Sequence, residues 1–161
     1  MSTHVRDAVF DNLRRRGMTT IFANPGSTEV AFLAGMPDDF EFVLGLHESS
    51  VVGMAAGYAI GSGRPAFVLL HTTAGLGNAV GAIATARVNR APLVIVVGQQ
   101  DRRHLALDPF LAGRLEGLAG SRSCCSCSSL CLLVPDTATR SRSTPRRRVH
   151  SPRPSHSRPH S

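Results

Sequence analysis

For its first 120 residues the chain alternates apolar runs with segments of helical period. Val5, Val9 and Leu13 recur at a spacing of four, and Arg14–Arg16 and Gly17 follow. That pattern predicts an amphipathic helix with cations at its C-terminal end and a glycine stop. Thr20–Ala23, Phe40–Leu46, Ala66–Leu70 and Leu93–Val97 are short apolar runs rich in Val, Leu, Ile or Phe. They have the character of strands buried on both faces. Helical candidates lie between them: Thr28–Gly35, then Ser49–Ile60 with Val52, Ala55, Ala56 and Ala59 on one side. Leu76–Asn89 follows, carrying Val80, Ile83, Ala84 and Ala86–Arg87. Gly61–Pro65 and Asn89–Pro92 punctuate the returns from helix to strand. Strands alternating with helices at intervals of about 20 to 30 residues imply right-handed parallel crossovers. The expected fold is α/β: an incomplete doubly wound parallel sheet of at least four strands, in three layers (α/β/α).

After Gly120 the pattern stops. Cys124, Cys125, Cys127 and Cys131 precede Thr, Arg and Ser repeats and a Pro/Arg/Ser/His run to Ser161. Only Leu130–Val134 has strand character, and residues 121–161 are expected to be a disordered tail. Charge divides at the same place. The chain has no Lys, and residues 1–120 balance 10 Arg against 10 acids. Residues 121–161 set 8 Arg against Asp136 alone, and so account for the net +7. The basic balance therefore describes the tail and says nothing about partners of the first 120 residues. No run of about 18 apolar residues occurs, so no membrane span is expected. Met1–Leu13 has no continuous apolar run of the secretory type, and a cytoplasmic location is expected.

In a sheet of this kind ligands meet the loops beyond the carboxyl ends of the strands. Here those loops are Asn24–Ser27, His47–Ser50, His71–Gly77 and Gly98–Arg103, all polar or glycine-rich. Pro25, Gly26 and Ser27 lead into a short helix whose free N–H groups suit a carboxylate, while Ser27 or Thr28 also suits a plain helix cap. Glu48 is the only acid between Glu41 and Asp101, set among Val51, Val52 and Met54. It has two readings: a proton handler in a poorly hydrated pocket, or a carboxylate favoured by a helix start. His71, at a strand end, faces the crevice and reads either as a proton shuttle or as a hydrogen-bonded structural histidine. Gly75, Gly77 and Gly81 approximate a dinucleotide fingerprint with the third glycine one residue late, and Asp101 as its acid. Tight helix–sheet packing explains the same glycines. The cysteine spacing does not match paired zinc ligands, and no metal site is assigned. The tail's arginines suit nonspecific nucleic-acid binding, without an aromatic residue for stacking.

Read together, the loops carry a resemblance. Asn24-Pro25-Gly26-Ser27-Thr28-Glu29 is followed by Leu46-His47-Glu48 and Gly53-Met54-Ala55-Ala56-Gly57-Tyr58-Ala59. Then come Arg64-Pro65-Ala66-Phe67, His71–Asn78, Pro92-Leu93-Val94 and Gly98-Gln99-Gln100. In that order and spacing they resemble the N-terminal pyrimidine-binding domain of thiamin-diphosphate-dependent enzymes, over residues 3–118. The likeness is greatest to the benzoylformate decarboxylase branch. Acetolactate synthases share the Glu and the Gly-Tyr-Ala helix but lack a His in the third loop. The resemblance implies that Glu48 hydrogen-bonds the cofactor's aminopyrimidine ring and favours the imino form that deprotonates the thiazolium. It implies that His71 moves protons during decarboxylation and that Ser27 holds the carboxylate of a 2-oxo-acid substrate. It also places Pro25, Gly26 and Asn78 beside the cofactor, in a site formed between subunits of a homo-oligomer. The family holds the diphosphate through Mg2+ on a Gly-Asp-Gly motif in a separate C-terminal domain, and no Gly-Asp-Gly occurs here.

That absence makes the chain read as a truncated first domain (residues 1–120), inactive alone. An Arg-rich, Lys-free chain implies a GC-rich gene, whose out-of-frame translation yields Arg, Pro, Ser, Cys and His. A frameshift near residues 118–121 is therefore expected to have produced the tail, with a one-base shift recoding Arg146–Pro159 as an Ala-rich helix. Loss of the last strand and helices is expected to leave a bare sheet edge, an uncovered apolar face and a poorly soluble product. Two other functions fit the bare pattern: a small nucleotide-binding α/β domain with a basic nucleic-acid-binding arm, and a NAD module on the Gly75–Gly81 segment.

Overall fold

Helix α1 (Val5–Arg15) buries Phe10 and Leu13 and stops where Gly17 takes φ +70°, a conformation glycine adopts without strain. The computed structural model describes residues 4–120, Ser126–Cys127 and Leu130–Leu133. Strand β1 (Thr20–Asn24) follows, then the short helix α2 (Val30–Leu33) and strand β2 (Glu41–Leu44). Helix α3 (Glu48–Ser62) closes on Gly63 in the left-handed region and leads to β3 (Ala66–His71). Helix α4 (Thr72–Val88), β4 (Leu93–Gly98) and a single turn, α5 (Arg102–Leu105), complete the first 120 residues. Two further strands are β5 (Ser126–Cys127) and β6 (Leu130–Leu133).

The sheet order is β2-β1-β3-β4-β6-β5. The first four strands are parallel, as the crossover spacing requires, and β6 and β5 are antiparallel. Alternation of side chains divides the strands between two cores. Phe22, Val68, Leu70, Ile95 and Val97 pack under α3 and α4, against Val51, Val52, Ala55, Leu76, Ala79 and Ile83. Ile21, Ala23, Phe67, Leu69 and Val96 face the other way, toward Phe10, Leu13, Phe32 and Phe40. The sheet is thus covered from both sides, with α3 and α4 on one and α1 and α2 on the other.

Four details depart from the sequence pattern. The Phe40–Leu46 run yields only a four-residue strand, with Glu41 and Leu44 exposed and Phe42 and Val43 half-buried. It is an edge strand bonded to β1 alone, so it is not buried on both faces. The His71–Gly77 segment is not a loop: α4 starts at Thr72, immediately after β3. Thr72 makes the turn by itself at φ +45°, an unusual conformation for a β-branched residue. Within α4, Val80 is half-buried and Ala84 exposed, while Leu76, Ala79, Ile83 and Ala86 form the buried stripe.

The expected bare edge beyond β4 is occupied. Leu130–Leu133, inside the tail's one apolar run, pairs with Gly98 through Ile95 and satisfies that edge. Disorder was expected across 121–161; these six residues are strands, and the rest of that expectation, with Cys124, Cys125 and the Arg-rich run, lies outside the described residues. A cavity of about 430 Å³ lies between α1, α2, β3 and β4, lined by Val5, Val9, Phe32, Phe67, Leu69 and Val96, with Thr28 and Glu29 in its wall. Among the described residues no helix is long and apolar enough to cross a membrane.

Candidate functional site

The carboxyl ends of β1 and β3 and the first turns of α3 and α4 meet at one rim of the sheet. Glu48 opens α3 and is only 7% exposed. Its two oxygens are held by two amides: Asn24 Nδ2, at the end of β1, donates to Oε1 at 3.1 Å, and Asn78 Nδ2, on α4, donates to Oε2 at 3.0 Å. No cation pairs with it among the described residues. The Ser49 hydroxyl donates to the Asn78 carbonyl and ties the two helices together beside it. The cap of α3 is His47, whose Nδ1 accepts the Ser49 N–H at 3.2 Å. Capping therefore does not account for the Glu48 side chain, which is turned toward the two amides.

His71 is at once the last residue of β3 and the N-cap of α4. Its Nδ1 lies 2.9 Å from Glu29 Oε2 and 3.0 Å from Thr28 Oγ1. Glu29 is 2% exposed. It accepts the Gly26 N–H at 2.8 Å through Oε2 and the Thr28 hydroxyl through Oε1. Two glycines make room for this knot: a Cβ on Gly26 would run into the His71 ring, and one on Gly98 would overlap the Glu29 carboxyl. A third glycine joins it to Glu48. A Cβ on Gly75 would lie 3.4 Å from Glu48 Oε1 and 3.6 Å from His71 Cβ. Glu48, Asn78, His71 and Gly26 thus converge at one rim. The nearby Thr72 and Thr73 hydroxyls are buried with no hydrogen-bond partner among the described residues.

Pro25 and Gly26 make the turn after Asn24, and Ser27 is exposed on it. None of the hydrogen bonds among the described residues uses the Ser27 hydroxyl. Neither Ser27 nor Thr28 caps α2: the N-cap is Glu29, in a helical conformation without a side-chain cap bond, and the Thr28 hydroxyl goes to Glu29. Glu29 ends the Asn24–Glu29 motif, and the sequence alone assigns it no role. The signal for it was available, since it is an acid leading into Val30-Ala31-Phe32, the same isolation that singled out Glu48.

The dinucleotide reading fails on geometry. Gly75, Gly77 and Gly81 lie within α4 and form no phosphate loop. Asp101 is exposed and paired with Arg103 at 3.0 Å, and the guanidinium lowers its carboxyl to about 2. No group of three His, Cys, Asp or Glu suited to a metal comes together among the described residues.

Residues 3–118 match the family described as thiamine pyrophosphate enzyme, N-terminal TPP binding domain. The chain belongs to that family. Benzoylformate decarboxylase of Pseudomonas aeruginosa is 53% identical over 108 residues, which are 67% of this chain and 20% of that enzyme. The chloroplastic acetolactate synthase of Arabidopsis thaliana is 35% identical over 106 residues, 65% of this chain and 16% of the plant protein. Among solved structures, a thiamine diphosphate-dependent 4-hydroxybenzoylformate decarboxylase of Rhodococcus jostii superposes with a TM-score of 0.71 at 43% identity. That superposition covers 74% of this chain and 23% of the other. This TPP-binding domain spans about a fifth of the length of the relatives it matches. The match also displaces the nucleotide-binding reading of the first 118 residues.

The residues fit the cofactor's pyrimidine half. A buried carboxyl whose hydrogen-bond partners are amides can accept from the ring's amino group, or share a proton with a ring nitrogen. Gly75 keeps the space beside Oε1 clear of a side chain.

Proposed function

We propose that this domain serves a thiamin-diphosphate-dependent, non-oxidative 2-oxo-acid decarboxylase of the benzoylformate type. The reading rests on one observation: Glu48 is buried at the start of α3 with both oxygens engaged by Asn24 and Asn78. Bound thiamin diphosphate supplies the carbon nucleophile and electron sink of such a reaction. Glu48 holds and polarises its aminopyrimidine, with Asn78 orienting the carboxylate and Pro25 and Gly26 shaping the wall. His71 takes and returns protons at the same rim, and Ser27, exposed on the β1–α2 turn, receives the substrate carboxylate. Catalysis needs a second domain, which would hold the diphosphate and its Mg2+. Residues 1–161 carry no Gly-Asp-Gly, so this chain alone does not decarboxylate. The composition of residues 121–161 supports a change of reading frame near residue 120; the shifted frames of the gene's DNA should then encode Gly-Asp-Gly.

The test is a graft. Residues 3–118 replace the matching segment of the Pseudomonas aeruginosa benzoylformate decarboxylase, and benzoylformate decarboxylation is measured with thiamin diphosphate and Mg2+. The graft should be active, and Glu48→Gln should lower kcat by at least about 100-fold, the scale of a lost proton-transfer partner. A Glu48→Gln graft as active as its parent would sink the reading. So would turnover by the isolated 161-residue chain, for the claim of inactivity.

A further inference from the structure

We propose that Glu29 is a positioning residue for His71: it fixes the neutral imidazole with its proton on Nδ1, leaving Nε2 as the nitrogen that accepts a proton. An ionised Glu29 has no hydrogen to give. It already receives one from Gly26 N–H and one from the Thr28 hydroxyl. The Thr28 oxygen has a single hydrogen and spends it on Glu29, so it offers His71 only lone pairs. Both atoms within reach of Nδ1, Glu29 Oε2 at 2.9 Å and Thr28 Oγ1 at 3.0 Å, are therefore acceptors. Nδ1 must carry the proton. The two bonds account for Nδ1 alone, and none of the hydrogen bonds among the described residues reaches Nε2.

The surroundings keep this arrangement in place. Gly26 lies against the ring and Gly98, paired with His71 across β3 and β4, lies against the Glu29 carboxyl, so both partners are seated on backbone where they meet. The Glu29 side chain is 1% exposed and that of His71 is 18% exposed. The carboxylate is thus screened from water while the histidine reaches the rim. The charged groups that approach His71 are Glu29, from the β1–α2 turn, and Glu48, across Gly75. A carboxylate behind an imidazole both selects the tautomer and steadies the cation formed when Nε2 is protonated. The proposal rests on the decarboxylase reading for what His71 does, but the tautomer itself needs no cofactor.

The experiment is a long-range ¹H–¹⁵N correlation spectrum of the uniformly ¹⁵N-labelled full chain, without cofactor, at a pH where His71 is neutral. Wild type should show Nδ1 protonated and Nε2 bare. Glu29→Gln should lower the ratio of Nδ1–H to Nε2–H forms by about tenfold, as expected when a hydrogen bond to a charged acceptor is lost. Thr28→Val should leave the ratio close to wild type. A bare Nδ1 in the wild-type spectrum overturns the proposal even if Glu29→Gln does not fold. An unchanged ratio in a folded Glu29→Gln chain overturns it too, as does a collapse confined to Thr28→Val. An inactive graft with a protonated Nδ1 would count against the decarboxylase reading and leave the tautomer assignment standing.

Discussion

The two faces of the sheet are filled by different chemistry. Under α3 and α4 the packing is aliphatic and fine-grained, with Val51, Val52, Ala55, Leu76 and Ala79 fully buried on Val68, Leu70 and Val97. Under α1 and α2 it is aromatic and coarse. Phe10 stacks on Phe32 at 4.6 Å and meets Phe40 edge-on at 5.1 Å, and Arg14 clamps the corner through Asp39 at 2.7 and 2.8 Å. Beside these rings about 430 Å³ is unfilled. The difference matters at the rim. Glu48 and Asn78 stand on the helices of the closed face, whereas Glu29 forms part of the wall of the open cavity. Both buried acids are held by hydrogen bonds, but those of Glu48 come from amides backed by dense packing, whereas Glu29 sits at the cavity in space left by two glycines.

The contrast yields measurable differences in unfolding midpoint. Leu76→Ala, in the middle of the closed face, should be the most damaging change, at about 2–5 kcal/mol. Leu69→Ala, on the cavity wall, should fall at the low end of that range, because the space beside it is already open. Equal losses at both sites would show that the faces are equally dense. Enlargement should next separate them by sign. Ala79→Leu has no space to enter and should cost about 1–3 kcal/mol. Val9→Leu points into the cavity and should be neutral or add about 0.5–1 kcal/mol. Both costing alike would remove the distinction.

The smallest effect belongs to neither core. Asp101, lowered from 3.8 to about 2 by Arg103, favours the folded state above the ordinary carboxylate value. That contribution should disappear as the pH falls from about 4 toward 2. Because the pair is fully exposed, the change should be slight. Arg103→Ala should abolish it in an NMR titration of the Asp101 carboxyl.

The four parallel strands and three long helices were legible because apolar runs and fourfold spacings are local signals. Glu48 stood out by isolation, and His71 by its place at a strand end. What was hidden was contact across distance. The partner of His71 lies 42 residues away, and only the folded chain brings Glu29 to it. Phe42 and Val43 read as doubly buried because the pattern does not say which strand lies at an edge. The start of α4 was placed four residues late because propensity gives no warning of a threonine at positive φ. Leu130–Val134 was visible as a strand candidate, but its partner was not.

Thr72, at φ +45°, also sets what can move at the rim. With strand and helix joined by a single reversed residue, His71 is anchored on both sides by regular backbone. The backbone leaves the imidazole only its own two side-chain torsions to move by. Under the proposed decarboxylase function, fitting reactants of different size would then fall to the exposed turn around Ser27.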